Sequence, residues 1–145
     1  MTKDAHYLAL ETMYRQAPVN ASYQPEISIE AGRSTITMDV HERYFHSAGA
    51  VHGSVYFKML DDAAFFAANS LERTHFVLTT SFTTYLTRPV SRGQMRAEGR
   101  VVNANRTQFI AEAVVYDDED REIGRGTGIF VRSKLELASA EGYEL

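Results

Sequence analysis

Two adjacent carboxylates, Asp61 and Asp62, sit near the middle of an otherwise greasy stretch. Residues 55–70 hold Val55, Tyr56, Phe57, Met59, Leu60, Phe65, Phe66 and four alanines. A charge taken out of water costs several kcal/mol unless it is paired or hydrogen-bonded, so a helix needed only for packing would not carry acid there. Conflict between a local rule and its violation is expected at functional sites. The chemistry open to such a group is general-base or nucleophilic, because burial raises a carboxyl pKa and makes it a better base. Just upstream, residues 45–54 form a glycine-containing loop with His46, Gly49 and His52-Gly53-Ser54. The amides at a helix N-terminus are unpaired and aligned with its dipole, and a glycine there allows close approach to the backbone.

The rest of the chain must position these groups. At 145 residues it is long enough for one domain with its own core, and 44% hydrophobic content is ordinary for a globular protein. Without cysteine it has no disulfide, no thiolate nucleophile and no thiolate metal site. A net charge of −4 argues against a general nucleic-acid binder. The first residues lack an apolar run of signal-peptide type and no segment reaches membrane-spanning length, so a soluble cytoplasmic protein is the expectation.

Residues 4–16 fit a short helix capped by Asp4, with Tyr7, Leu8, Leu10, Met13 and Tyr14 at helical spacing and no assigned chemistry. From Glu26 the period becomes two, and Ile27, Ile29, Ile36, Met38 and Val40 fit one bent strand or a hairpin broken at Ala31-Gly32-Arg33. After the central helix come strands at 76–88, ended by Pro89, then 94–103, 108–116 and 121–132. Short turns between them predict an antiparallel meander. Residues 134–145 show no period and read as a loose tail. The expected division is a helix and linker at 1–24, the main domain at 25–133 and the tail. A helix this apolar needs cover on both sides, and a second subunit is the simplest source for the side away from the sheet.

Across residues 25–133 the chain resembles the hotdog-fold acyl-CoA thioesterases, especially the group containing the phenylacetate-pathway thioesterase. In that group an Asn, a Gly and His-Gly-Gly precede an Asp or Glu nine residues after the His. Here those positions are His46, Gly49, His52-Gly53-Ser54 and Asp61, followed by Thr79 to Pro89, Gly93 and Val101-Val102-Asn103. The resemblance implies an α+β hotdog fold, an antiparallel sheet of five to six strands wrapped around one long helix. It also implies a homodimer or dimer of dimers with sites between subunits, and hydrolysis of acyl-CoA thioesters. Coenzyme A is then part of the substrate, and no cofactor is expected.

In that chemistry Asp61 is the base or nucleophile and the Gly53 amide holds the carbonyl oxygen, a donor worth about 3 kcal/mol in other hydrolases. His52 shapes the loop, His46 replaces the usual Asn as a donor to the carbonyl, and Thr79 orients water. Each has a plainer alternative: Asp61 pairing with Lys58, Gly53 as a small residue at a helix entrance, His46 on a surface loop, Thr79 as an ordinary strand residue. Asp62 reads as the ion-pair partner of Lys58 at i,i+4. Ser54, which replaces the second Gly, lies in no Gly-x-Ser-x-Gly elbow and is placed with substrate binding instead of nucleophilic attack. Phe57 fits an acyl pocket or the core. Arg88, Arg92 and Arg106 fit coenzyme A phosphates or scattered surface charge. The departures at His46 and Ser54 keep a non-catalytic acyl-CoA binder open, and a hotdog enoyl-CoA hydratase or dehydratase is the other alternative.

Two patterns are discounted. Gly124, Gly126 and Gly128 are followed by no helix, so they cradle no phosphate and suit close packing on a strand. The acidic run 117–120 lacks the spacing of a calcium loop, and no His-x-x-x-His pair suggests a catalytic metal.

Overall fold

In a computed structural model, which describes residues 2–145, the change in hydrophobic period marks the change from helix to sheet. Helix α1 (Ala5–Gln16) begins at Asp4, whose carboxylate accepts the His6 amide at 2.9 Å. A single turn, α2 (Asn20–Tyr23), follows. Strands β1 (Glu26–Glu30) and β2 (Arg33–Asp39) resolve the first ambiguity as a hairpin, each burying every second residue. Then come α3 (Gly53–Asn69), β3 (His75–Leu86), β4 (Gln94–Ala104), β5 (Gln108–Tyr116) and β6 (Glu122–Glu136). The strands form one antiparallel sheet in the order β1-β2-β4-β5-β6-β3, with α3 packed across one face. This is the expected α+β hotdog architecture, with six strands. Ile36, Met59, Leu60, Met95, Phe109 and Phe130 are fully buried between helix and sheet, each such side chain contributing about 1.5–3 kcal/mol of transfer free energy. No helix among the described residues is long and apolar enough to cross a membrane.

Two expectations need correction. The last four strands are not a simple meander: only β4-β5-β6 follow one another, while β3 pairs with β6 at the edge of the sheet. Cross-strand fit decides this. The Phe82 ring on β3 lies over Gly126 and Gly128 on β6, where any Cβ would come within 2.4 Å of it. The second correction concerns the tail, which is not loose. β6 runs on to Glu136, Leu137 is fully buried, and the buried Tyr143 places its hydroxyl 2.7 Å from His6 Nδ1. Leu137, Gly142 and Tyr143 hold this segment, and three isolated residues produce no periodic pattern.

Candidate active site

On α3, Ser54, Phe57, Lys58, Asp61, Asp62 and Phe65 recur at spacings of three and four, and all keep some exposure, while Val55, Met59, Leu60, Ala63 and Phe66 are buried. The two acids therefore lie on the one stripe that the sheet leaves open, not in the middle of the core. Consecutive helical residues point about 100° apart, so the acids meet different neighbours. Asp62 turns towards α1: Lys58 Nζ pairs with its Oδ2 at 2.6 Å, and the Tyr14 hydroxyl donates to the same oxygen at 2.7 Å. Burial and this carboxylate together push the Tyr14 pKa far up, so its proton stays in the bond.

Asp61 turns towards β3, where the Thr79 hydroxyl donates to its Oδ1 at 2.9 Å. Burial pushes the Asp61 carboxyl up to about 6, helped by the Asp62 charge, against the lowering effects of the Thr79 bond and Lys58. A carboxylate of this kind is still ionised at neutral pH and is matched to taking a proton there.

An irregularity in β3 makes that contact. Thr79 pairs with Phe130 and Ser81 with Ile129, leaving Thr80 as an extra residue. Such a bulge flips the side-chain alternation beyond it. Val77 and Thr79 thus face the helix before the bulge, and Phe82 faces it afterwards, stacked on Phe57 at 5.7 Å. Without the bulge, Thr79 and Phe82 would lie on opposite faces.

Beside Asp61 opens a cavity of about 700 Å³, between α1, the 17–20 turn, α3, β3 and the tail. Met13, Phe65, Phe66, Phe76 and Leu78 make it largely apolar, with Asp61, Asp62, Lys58, Tyr14 and Thr79 among its polar lining. This is the size and character of a small-molecule site.

Gly53 opens elsewhere. His52 caps α3 through Nδ1, which accepts the Ser54 amide at 3.0 Å and lies 2.8 Å from the Ser54 hydroxyl. Two donors on Nδ1 place the ring proton on Nε2. The cap leaves the Gly53 amide, the first of the helix, without an intrahelical acceptor. It borders a second cavity of about 350 Å³ lined also by His46, Tyr56, Leu86, Thr87 and Arg88. Tyr56 donates to the Arg88 carbonyl at 2.8 Å and fixes that wall.

Of the residues singled out in the sequence, Asp61 and Thr79 meet at one cavity, and Gly53, His46 and Arg88 gather at the other. His52 and Ser54 bond one another at the helix entrance. Phe57 lines neither cavity, and nor do Arg92 and Arg106. These two arginines flank β4, whose eleven residues span about 33 Å, so within one chain they cannot grip the same phosphates. Tyr14 was not singled out for the site, and neither its separation from Asp62 nor the pattern of α1 signals the contact.

A family model described as Thioesterase superfamily matches residues 48–123, which include α3 and the strands from β3 to β5. Among solved structures, PaaI of the E. coli phenylacetic acid degradation operon superposes with a TM-score of 0.81 at 17% identity, covering 92% of this chain and 99% of that one. A thioesterase family protein from Silicibacter pomeroyi gives 0.79 at 26% identity over 89% and 98% of the two chains. A Streptococcus mutans protein bound to acetyl CoA gives 0.70 at 18% identity over 75% and 88%.

Proposed function

We propose that this chain, which belongs to the thioesterase superfamily, hydrolyses acyl-CoA thioesters with Asp61 as the reacting carboxylate. Membership supports thioester hydrolysis in general. The Streptococcus mutans relative with acetyl CoA bound supports coenzyme A as the thiol part of the substrate. The single observation that carries the assignment to Asp61 is its setting: a half-buried carboxylate raised to about 6, held by a hydroxyl, at the wall of a large apolar cavity.

The acyl group lies in that cavity. Asp61 removes a proton from a water aligned with the help of Thr79, and the hydroxide adds to the carbonyl carbon. The alternative course is direct attack by Asp61, giving an anhydride that water opens. In both, negative charge develops on the carbonyl oxygen, which the Gly53 amide stabilises. In the first course the collapse expels the coenzyme A thiolate, which takes back the proton held by Asp61, and leaves a carboxylic acid. In the second it expels the thiolate, which takes a proton from solvent, and leaves the anhydride, which water opens to the carboxylic acid and free Asp61.

Gly53 and Asp61 are eight residues apart on one helix, about 12 Å along its axis. One carbonyl group cannot touch both within a single chain, so the amide belongs to a second copy. The edge of the sheet supports such a copy. β3 offers twelve residues of unpaired edge without a lysine or acidic residue, beside exposed Leu78, Tyr85, Leu86 and Phe57. Long uncharged edges of this kind are ordinarily covered. In the second copy, His46 reaches the carbonyl oxygen beside Gly53, Arg88 meets the phosphates, and Ser54 lies at the same entrance.

Free-thiol release from a panel of acyl-CoAs is the test. Release by the wild type that vanishes in Asp61→Ala supports the assignment; binding without release identifies a non-catalytic acyl-CoA protein. An absorbance change from enoyl-CoA hydration would instead identify a hydratase.

A further inference from the structure

The cavity beside Asp61 runs to the tail, which supplies part of its wall. From Thr79 to Phe76 the wall of β3 runs about 10 Å, and from Asp61 to Phe65 the wall of α3 runs about 6 Å. Both lead away from the Asp61–Thr79 bond towards Ala140 and Glu141, which complete the lining there. These two residues belong to no strand or helix of the sheet core, yet three contacts hold them in place.

The first is Leu137, fully buried, with its amide bonded to the Thr74 carbonyl at 2.9 Å. The second is Gly142. Its φ of +92° is a conformation that side chains rarely adopt, and a Cβ there would come 2.8 Å from Gln16 Oε1 and 3.1 Å from the Met13 Cα. The glycine thus turns the chain flat against α1. The third is Tyr143, whose hydroxyl lies 2.7 Å from His6 Nδ1 and 3.3 Å from the Arg73 carbonyl. His6 is itself buried and donates through Nε2 to the Asn69 carbonyl at the end of α3, 2.9 Å away. Its Nδ1 is therefore the acceptor of the Tyr143 proton.

We infer that residues 137–143 form a strap that sets the length of acyl group the cavity accepts, with Gly142 and the Tyr143–His6 bond as its fastening. This rests on the acyl cavity proposed above. The strap touches none of the groups assigned to the reaction, so loosening it changes which chains fit without changing the chemistry. An apolar chain that runs between α3 and β3 to Ala140 meets the strap there. With the strap open, longer chains extend past Phe76 along α1.

The experiment is the acyl-CoA panel from acetyl to palmitoyl, run on the full chain, on Tyr143→Phe, on Gly142→Val and on a chain ending before Ala140. The expected result is a rise in kcat/KM for the longest chains of roughly fourfold per newly admitted methylene, expressed in KM. kcat for the shortest acyl groups should stay within about threefold. Profiles that remain parallel to the wild type in folded variants overturn the strap and leave the proposed function standing. A wild type that releases no thiol from any member of the panel overturns both. Tyr143→Phe keeps the buried ring and loses only the hydroxyl, so it reports even if the truncated chain does not fold.

Discussion

The two cavities that border α3 are built from opposite materials. The one beside Asp61 is large, greasy and walled by two helices, a strand and the tail; its candidate reactive group is a side chain whose pKa the burial raises. The one beside Gly53 is half the volume, and its useful group is a backbone amide exposed by the start of a helix. On the proposed account the first holds the acyl chain and takes a proton. The second, on the same account, holds the oxyanion and a charged ligand at Arg88, but its lining contains no carboxylate. Hydrolysis needs both, and a rigid helix keeps them about 12 Å apart. Splitting the machinery in this way makes the single chain an incomplete enzyme on the proposed account.

Removing the reactive group of the first cavity should have the largest effect. Asp61→Ala is expected to lower kcat/KM by about 10²–10⁴-fold, the usual worth of a positioned base, with an unchanged circular dichroism spectrum. A loss under tenfold would take Asp61 out of the chemistry. In the second cavity Gly53→Pro deletes the donor, and its Cβ, 2.8 Å from Leu86 Cδ1, displaces only the flexible end of that side chain. Proline is accepted at the first helical position, and His52 already has the extended ψ of 143° that a following proline requires. The loss expected is about 10²–10³-fold in kcat with little change in KM.

Smaller effects should distinguish the acids. Because Asp61 must be ionised to act, kcat/KM should fall tenfold per unit as the pH drops below about 6. Thr79→Val removes the bond that favours the charged form and should move this limb to higher pH; Asp62→Asn removes a neighbouring negative charge and should move it lower. A limb unmoved in both would show that another group controls the rate. Stability reports the same carboxyl. Its folded pKa lies above the ordinary 3.8, so the wild type is favoured at pH below 3.8 and loses that advantage as the pH rises through about 6. Asp61→Asn should therefore stabilise the protein by about 1 to 2 kcal/mol at pH 8, allowing for solvent screening, and by nearly nothing at pH 3.5. Denaturant melts at the two pH values measure this.

What the sequence revealed follows the range of each interaction. The Asp4 cap, the 17-residue helix and the strand alternation are local, and they were legible. The Lys58–Asp62 pair, four residues apart on one helix, was legible for the same reason. The Asp61–Thr79 contact was approached only through the family pattern. Its cause, one extra residue at Thr80, leaves no trace in composition because the strand reads as a run of threonines and aromatics. The exchange of neighbours that places β3 beside β6 depends on a ring fitting over two glycines 44 and 46 residues away. The tail is not legible in the sequence because a buttress made from Leu137, Gly142 and Tyr143 has no period at all. Local regularity announces elements; single long-range contacts assemble the site.

The division of labour between two copies is most directly tested by mixing. Asp61→Ala and Gly53→Pro chains, each inactive, should be co-expressed under two affinity tags and the mixed oligomer purified. In it one site unites an intact Asp61 with an intact Gly53 from the other chain, so thioesterase activity per mixed dimer should return to about half that of the wild type, one site of two. A mixed dimer as inactive as its parents, though folded and assembled, would contradict the shared site.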